Sequence, residues 1–158
     1  MEKYQIVNNP VLLLVEDNPA DQNLTKRSIK KHMLNCDLRI VADGESAMDY
    51  LRHHGVYVSL DDSPKPDIIV LDLNMPKMDG RQVIQEMKSN PELANIPIIV
   101  FTTSSYKKDI SESYKLGCNS FITKPANAHE FMNVIKEICS YWFNLVTLPN
   151  PRHISYFG

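Results

Sequence analysis

Acidic side chains follow two apolar runs in this sequence. Asp72 comes directly after residues 68–71, four apolar residues that are typical of a strand buried on both faces. Glu16 and Asp17 follow a second apolar run at residues 11–15. Because the carboxyl ends of parallel strands line the crevice where an open α/β sheet binds ligands, we expect these three carboxylates to converge. Carboxylates that share a site repel one another and favour a divalent cation, so the pattern predicts a magnesium site.

Two more side chains that can act on a ligand fall at strand ends. Thr102 follows the apolar run 96–101, and Lys124 follows the run 120–122. Pro125 disfavours helical geometry for the residue before it, so Lys124 should stay extended at the edge of the sheet. From that position its ammonium group can reach a carboxylate or a phosphoryl oxygen.

This set of side chains suits the transfer of a phosphoryl group onto Asp72. Glu16, Asp17 and Asp72 would surround Mg²⁺, with an oxygen at Asn74 as a further ligand. The cation and Lys124 would neutralise the oxygens of the migrating group, and a carboxylate nucleophile would then give an aspartyl phosphate.

Thr102 and Phe121 are the candidates for reporting that event. The hydroxyl of Thr102 can donate to the new phosphoryl oxygens, and its movement would free space for an aromatic side chain. Phe121 lies on the neighbouring expected strand. The sequence therefore predicts Thr102 as a switch hydroxyl and Phe121 as a switch aromatic.

The elements that must position these residues follow from the alternation of short apolar runs with stretches of helical period. This alternation predicts an α/β fold, a doubly wound parallel sheet of about five strands with helices on both faces. The apolar runs are residues 11–15, 38–41, 68–71, 96–101 and 120–122. The expected helices begin at Asn18-Pro19, after Asp43-Gly44, after Asp79-Gly80, near Lys107 and at Asn127.

Composition restricts the class of protein. A chain of 158 residues fits one domain, and its formal charge of −2 gives no electrostatic reason to expect nucleic acid or an anionic membrane as a partner. The first residues lack the apolar core of a signal peptide, and residues 11–15 are too short to span a bilayer, so we expect a cytoplasmic location. The three cysteines have no close spacing that would indicate a disulfide framework or a zinc site.

Four motifs resemble the receiver domains of two-component response regulators, over about residues 9–141. They are Leu14-Val15-Glu16-Asp17-Asn18, Leu71-Asp72-Leu73-Asn74-Met75-Pro76 with Asp79-Gly80, Phe101-Thr102-Thr103-Ser104, and Phe121-Ile122-Thr123-Lys124-Pro125. The resemblance implies a flavodoxin-like (βα)5 fold and a protein that catalyses only its own Mg²⁺-dependent phosphorylation and dephosphorylation. It also implies these roles: Asp72 as phosphoacceptor, modified to 4-aspartylphosphate, Glu16 and Asp17 as the acidic pair, Lys124 as the phosphate-binding lysine, and Thr102 with Phe121 as the switch pair.

A narrower resemblance comes from two other segments. The long polar loop at residues 55–66 and the ending at residues 141–149 look like the small single-domain regulators associated with cyanobacterial phytochromes. This resemblance implies a sensor histidine kinase of phytochrome type as the phosphate donor. From the sequence we expect a receiver domain at residues 9–143 and a C-terminal tail at residues 144–158, which is too short to be an output domain.

The same residues are compatible with other roles. Singly, Asp72 could cap a turn and Lys124 could be a solvated charge. A haloacid-dehalogenase-like phosphatase would need a second aspartate where Asn74 stands, and an inert pseudo-receiver would be expected to lack Asp17, Asp72 or Lys124. A flavodoxin-like cofactor protein would need a glycine-rich phosphate loop after the first strand.

The C-terminal region is unusually apolar. The fifth expected helix carries apolar residues on more than one face, and Tyr141-Trp142-Phe143 is followed by Leu145, Val146 and Leu148. Beyond Phe143 the sequence reads as irregular. We expect a homodimer built on the fourth and fifth helices, the fifth strand and the tail. The alternative is that the tail folds back on its own domain.

Overall fold

The computed structural model describes residues 4–6, 9–149 and 155–157. The strands in this part of the chain are β1 Tyr4–Ile6, β2 Val11–Val15, β3 Asp37–Val41, β4 Ile68–Leu71, β5 Ile98–Thr102, β6 Ser120–Thr123 and β7 Ser155–Phe157. The α-helices are α1 Pro19–Lys31, α2 Gly44–Arg52, α3 Gly80–Lys88, α4 Lys107–Leu116 and α5 Ala128–Cys139. No helix within the described ranges is long and apolar enough to cross a membrane.

Five of the strands form one parallel sheet in the order β3-β2-β4-β5-β6. This confirms the predicted doubly wound, flavodoxin-like arrangement. β1 and β7 form a separate two-stranded antiparallel ribbon, in which Tyr4 pairs with Phe157. The sequence did not predict this ribbon, because three-residue strands carry too little pattern to be recognised.

The core consists of two apolar layers, one on each face of the parallel sheet. Alternate residues of β2 point to opposite layers, with Leu13 on one side and Leu12 on the other. Residues of α2 and α3, such as Val83, belong to the first layer, and residues of α5, such as Phe131, belong to the second. Burial on both faces explains why the central strands read as continuous apolar runs.

Side-chain caps fix where the helices start. The carboxamide oxygen of Asn18 accepts the backbone N–H of Ala20 at 2.8 Å, and Pro19 occupies the first turn of α1. Asp79 and Gln82 form a reciprocal capping box at the start of α3. The predicted starts of these two helices are confirmed. α1 begins shortly after β2, whereas residues 72–79 lie between β4 and α3.

The loop at residues 55–66 is held by a buried serine. Ser63 is fully buried, and its hydroxyl oxygen lies 2.9 Å from the carbonyl oxygen of Tyr57 and 2.6 Å from that of Ser59. The loop opens with a 3₁₀ turn at Gly55–Tyr57. The stretch is therefore a loop, as predicted, but one with internal anchoring that its polar composition did not indicate.

The segment after α5 differs from the expectation of an irregular chain beyond Phe143. It continues as a wide π-helical turn over Ser140–Leu145. Trp142, Phe143 and Leu148 pack against the apolar layer beneath α5, and these contacts favour the continued turn. Part of the tail thus folds back on its own domain. Expectations about residues 150–154 and 158, and about the side chains of Tyr156 and Phe157, lie outside the described residues.

Gly80 opens α3 directly against the turn that follows Asp72. A Cβ atom at Gly80 would lie 2.3 Å from the carbonyl oxygen of Asp72 and 2.9 Å from the Cα of Leu73. We expect Gly80→Ala to lower the free energy of unfolding by about 3 kcal/mol, because backbone rather than a flexible side chain would have to move. Urea denaturation measures this loss.

Gly55→Ala is the matched control. Gly55 has a φ of +60°, but no atom of the described residues lies within 4 Å of the Cβ it lacks. Gly55→Ala should lower the free energy of unfolding only by the strain of the left-handed conformation, about 1 kcal/mol. If Gly80→Ala cost no more than this control, the close approach of α3 to the Asp72 turn would not be a packing constraint.

Candidate functional site

Backbone hydrogen bonds place the candidate residues at one edge of the parallel sheet. The N–H of Asp72 donates to the carbonyl oxygen of Val15 at 3.1 Å, one residue beyond the end of β4. The N–H of Lys124 donates to the carbonyl oxygen of Thr102 at 2.7 Å, one residue beyond the end of β6. The ladders thus continue past the strands, and Lys124 stays extended as its position before Pro125 predicts.

Three predicted carboxylates converge at this edge. Glu16, Asp17 and Asp72 each offer an oxygen within 4.8 Å of the other two. Glu16 and Asp72 are buried, whereas Asp17 is exposed. Asn74 is also exposed, and its assignment as a fourth cation ligand stays a prediction.

The ammonium group of Lys124 lies inside this acidic cluster. It contacts Oε1 of Glu16, lies 2.9 Å from Oδ2 of Asp21 and lies 3.2 Å from Oδ2 of Asp72. Only 5 % of the Lys124 side chain is exposed. Lys124 is therefore a buried charge neutralised by several acids, which rules out the solvated surface charge considered above.

Asp21 is a member of the site that the sequence reasoning missed. It belongs to the first turn of α1, and its side chain is 20 % exposed. An acid in the first turn of a helix is ordinarily explained by the helix dipole, so the sequence pattern alone does not assign Asp21 to the site. The available signal was the cap at Asn18, since a helix that starts directly after β2 must bring its first turn to the same edge.

Three carboxylates contact the ammonium group of Lys124, and that of Asp17 lies close to two of them, so the cluster carries excess negative charge. Burial raises the pKa of Glu16 to about 7, although the hydrogen bond from Lys124 opposes the change. Burial alone would lower the pKa of Lys124, but its hydrogen bonds to Glu16 and Asp21 raise it overall. Lys124 thus stays charged, and Glu16 tends to hold a proton near neutral pH while no cation is bound.

Two buried polar atoms in this region have no hydrogen-bond partner within the described chain. They are Oδ1 of Asp72 and Oγ1 of Thr102. Buried polar groups are nearly always paired in folded proteins, so these two indicate a pocket that a ligand completes. An unpaired carboxylate oxygen beside two further acids fits a hard divalent cation, which Glu16, Asp17 and Asp72 would hold.

The predicted switch residues lie on adjacent strands. Thr102 ends β5, and Phe121 is in the neighbouring β6, opposite Val100. Phe121 is half-buried and packs against the first apolar layer, while its backbone N–H donates to the hydroxyl of Tyr114 on α4 at 3.1 Å. The roles of Thr102 and Phe121 as a switch pair stay predictions.

A parallel sheet of this strand order, with acids, a lysine and a threonine at its carboxyl edge, is the architecture of a receiver domain. Residues 12–136 match the family described as response regulator receiver domain, and the chain belongs to that family.

Particular relatives narrow the resemblance. The chain is 42% identical over 144 residues to the response regulator Rcp1 of Synechocystis sp. (strain PCC 6803), which covers 90% of this chain and 96% of Rcp1. It superposes on the phosphorylated cyanobacterial phytochrome response regulator RcpA with a TM-score of 0.84 at 41% identity, covering 90% of this chain and 99% of RcpA. The Mn²⁺-bound form of Rcp1 gives a TM-score of 0.81 at 42% identity, and the match covers 89% of this chain and 99% of that structure. The predicted resemblance to phytochrome-associated regulators is confirmed.

The raised pKa of Glu16 predicts that cation binding depends on pH. We expect the affinity for Mg²⁺ to fall about tenfold between about pH 8 and about pH 6, because a proton and the cation compete for the Glu16 carboxylate. The fall should centre on the pKa of about 7 that burial gives this group. Isothermal titration calorimetry at several pH values measures the affinity.

Glu16→Gln provides the control for this prediction. It removes the titrating carboxyl group while keeping a side chain of similar size, so its Mg²⁺ affinity should be weaker but nearly constant over the same pH range. The same pH dependence in both proteins would show that another group competes with the cation.

Proposed function

We propose that the protein accepts a phosphoryl group on Asp72 from a sensor histidine kinase and signals through a phosphorylation-dependent change of its surface. The observation that carries this proposal is the environment of the two oxygens of the Asp72 carboxylate. Its Oδ2 lies 3.2 Å from the ammonium of Lys124, and its buried Oδ1 has no partner among the described residues. The contact with Lys124 orients this buried carboxylate, and its two oxygens allow one to face the cation while the other acts as the nucleophile.

In the proposed reaction a bond forms between an Asp72 carboxylate oxygen and phosphorus as the phosphorus–nitrogen bond of the donor phosphohistidine breaks. The imidazole nitrogen keeps the electron pair of that bond. Lys124 moves its hydrogen bond from the carboxylate to a phosphoryl oxygen, while Glu16 and Asp21 keep its ammonium group in place. Mg²⁺ bound by Glu16, Asp17 and Asp72, with Asn74 as a further ligand, would neutralise the charge of the phosphoryl oxygens.

Beyond this exchange we assign the protein no enzymatic activity. It would catalyse its own Mg²⁺-dependent phosphorylation and the later hydrolysis of the aspartyl phosphate. The unpaired hydroxyl of Thr102 would donate to a phosphoryl oxygen, and Phe121 would then move into the space that Thr102 leaves. This movement would change the surface formed by α4, β6 and α5.

A phytochrome-type photoreceptor kinase is the proposed phosphate donor. The support is the similarity to RcpA, which is described as a cyanobacterial phytochrome response regulator, over 90% of this chain. A cytoplasmic location and the absence of a nucleic-acid partner stay predictions, as does the division into a receiver at residues 9–143 and a tail at residues 144–158.

We also propose a homodimer through α4, α5, β6 and the C-terminal tail. Large apolar side chains remain exposed on this side, among them Tyr106 at 76% and Leu145 at 75%. The packing of Trp142 and Phe143 against their own domain reduces the apolar surface that a partner would have to cover. The dimer proposal therefore rests on the residues that remain exposed.

The phosphoacceptor assignment is tested by incubation with acetyl phosphate and Mg²⁺. Wild type should gain one phosphoryl group, measured by intact mass, and Asp72→Asn should gain none because the amide is not a nucleophile. Chelation of the cation should also prevent the gain.

Asp61→Asn is the control, because Asp61 is an exposed acid in the loop at residues 55–66. It should be modified like wild type. Persistent modification of Asp72→Asn, without transfer to a neighbouring acid, would show that Asp72 is not the acceptor.

The dimer is tested by sedimentation velocity at tens of micromolar protein, with and without beryllofluoride. The full chain should sediment as a dimer and a chain ending at Asn144 should associate more weakly, because truncation removes part of the proposed interface. Monomers for both chains under both conditions would end the proposal.

A further inference from the structure

Arg81, Asp109 and Ser104 form a chain of contacts that the phosphoryl chemistry does not use. Nη2 of Arg81 lies 2.8 Å from Oδ1 of Asp109, and the hydroxyl of Ser104 donates to Oδ2 of Asp109 at 2.5 Å. Both oxygens of one carboxylate are thus occupied by partners from different segments. We refer to these three side chains as the α4 clasp, since Asp109 lies in the first turn of α4.

Ser104 fixes the segment between β5 and α4. Its side chain is buried, and its hydroxyl oxygen also accepts the backbone N–H of Tyr106 at 3.3 Å. Its carbonyl oxygen accepts a hydrogen bond from the hydroxyl of Thr123 at 3.1 Å. The chain two residues after Thr102 is therefore held by both its side chain and its backbone.

Arg81 connects the other end of the clasp to the segment after Asp72. It follows Gly80, whose N–H donates to the carbonyl oxygen of Leu73 at 2.9 Å. There is no room for a Cβ atom at Gly80, so the start of α3 packs closely against the Asp72 turn. The clasp therefore joins the segment after the proposed phosphoacceptor to the segment after Thr102.

Asp109 is well suited to hold these segments together. Hydrogen bonds from Ser104 and Arg81 keep its pKa below the usual range, so it stays ionised at neutral pH. The side chains of Arg81 and Asp109 are only 22% and 21% exposed. Charge-assisted hydrogen bonds of this kind are stronger and more directional than contacts between neutral groups.

The clasp opposes the movement that the proposed switch requires. The hydroxyl of Thr102 is fully buried and unpaired within the described chain, and in the proposed switch it shifts towards a phosphoryl group on Asp72. Residues 103–106 follow it directly, and Ser104 is tied to Asp109 and Thr123. A shift of Thr102 therefore strains or breaks the clasp.

We propose that Ser104 and Asp109 are positioning residues that hold residues 102–106 in the unphosphorylated arrangement and so set the affinity of the Asp72 site for a phosphoryl group. This inference rests on the proposed function. Because coupling between two sites is reciprocal, weakening the clasp must tighten the binding of a phosphoryl mimic by the factor with which the mimic weakens the clasp.

The experiment measures the dissociation constant of beryllofluoride in the presence of Mg²⁺, for wild type and for variants of the full chain. Asp109→Asn and Arg81→Gln should each bind the mimic about fivefold more tightly than wild type, within the usual range of coupling between sites. Thermal unfolding without the mimic is recorded in parallel. A purely structural contact would lower the melting temperature and leave the dissociation constant unchanged.

Glu112→Gln is the matched control. Glu112 lies on the same helix and also contacts Arg81, at 3.9 Å, but it makes no hydrogen bond to Ser104 in the described contacts. The substitution removes the same charge as Asp109→Asn but leaves the α4 clasp in place. This variant should therefore bind the mimic within about twofold of wild type. If Glu112→Gln increased the affinity for the mimic as much as Asp109→Asn, the increase would be a general effect of charge and not of the clasp.

A double-mutant cycle tests whether Ser104 and Asp109 act together. Ser104→Ala should also tighten binding, and the double variant Ser104→Ala/Asp109→Asn should gain less than the product of the two single gains, because both changes remove one hydrogen bond. Fully multiplicative gains would show that the two residues act independently.

The outcomes separate this inference from the proposed function. If wild type binds beryllofluoride and the clasp variants bind it equally or more weakly, the clasp inference is wrong and the phosphoacceptor role stands. If wild type does not bind the mimic at all, both fail. Should Asp109→Asn not fold, Arg81→Gln decides the matter, since this change leaves Asp109 hydrogen-bonded to Ser104.

Discussion

The pocket depends on one buried positive charge, the ammonium group of Lys124. It contacts carboxylates from three separate segments, namely Glu16 after β2, Asp21 in α1 and Asp72 after β4. A buried ammonium is tolerated only when paired, and carboxylates this close repel one another unless a cation lies between them. The ammonium group therefore depends on the carboxylates for its burial, and the carboxylates depend on the ammonium group for their close approach. With Asp17 the cluster contains four acids, and one positive charge cannot balance them. A divalent ion would compensate the surplus negative charge.

Much of the arrangement could be predicted because it depends on local sequence. Strands buried on both faces leave continuous apolar runs, and the side chains of Asn18 and Asp79 cap the starts of α1 and α3. Once the strands are parallel, the topology alone brings the residues that follow them to one edge. The convergence of Glu16, Asp17 and Asp72 follows from these facts without knowledge of any side-chain contact.

Features that arise from contacts between distant segments could not be predicted in the same way. Asp21 is an acid in the first turn of α1, where the helix dipole alone would account for it, and Ser63 belongs to a polar loop although it is fully buried. The pairing of Arg81 with Asp109 joins residues 28 positions apart in the chain. Charged and polar residues are common on surfaces, so sequence alone does not show which of them meet.

The ribbon of β1 and β7 has a mechanical consequence. Because the two strands are antiparallel, Tyr4 and Phe157 lie side by side at the same end of the ribbon. A force that pulls these two ends apart would open the hydrogen bonds one after another, like a zipper, whereas shearing would load them all at once. The parallel sheet would bear tension only after these few hydrogen bonds had broken, so the ribbon would open before the sheet that carries the acidic cluster.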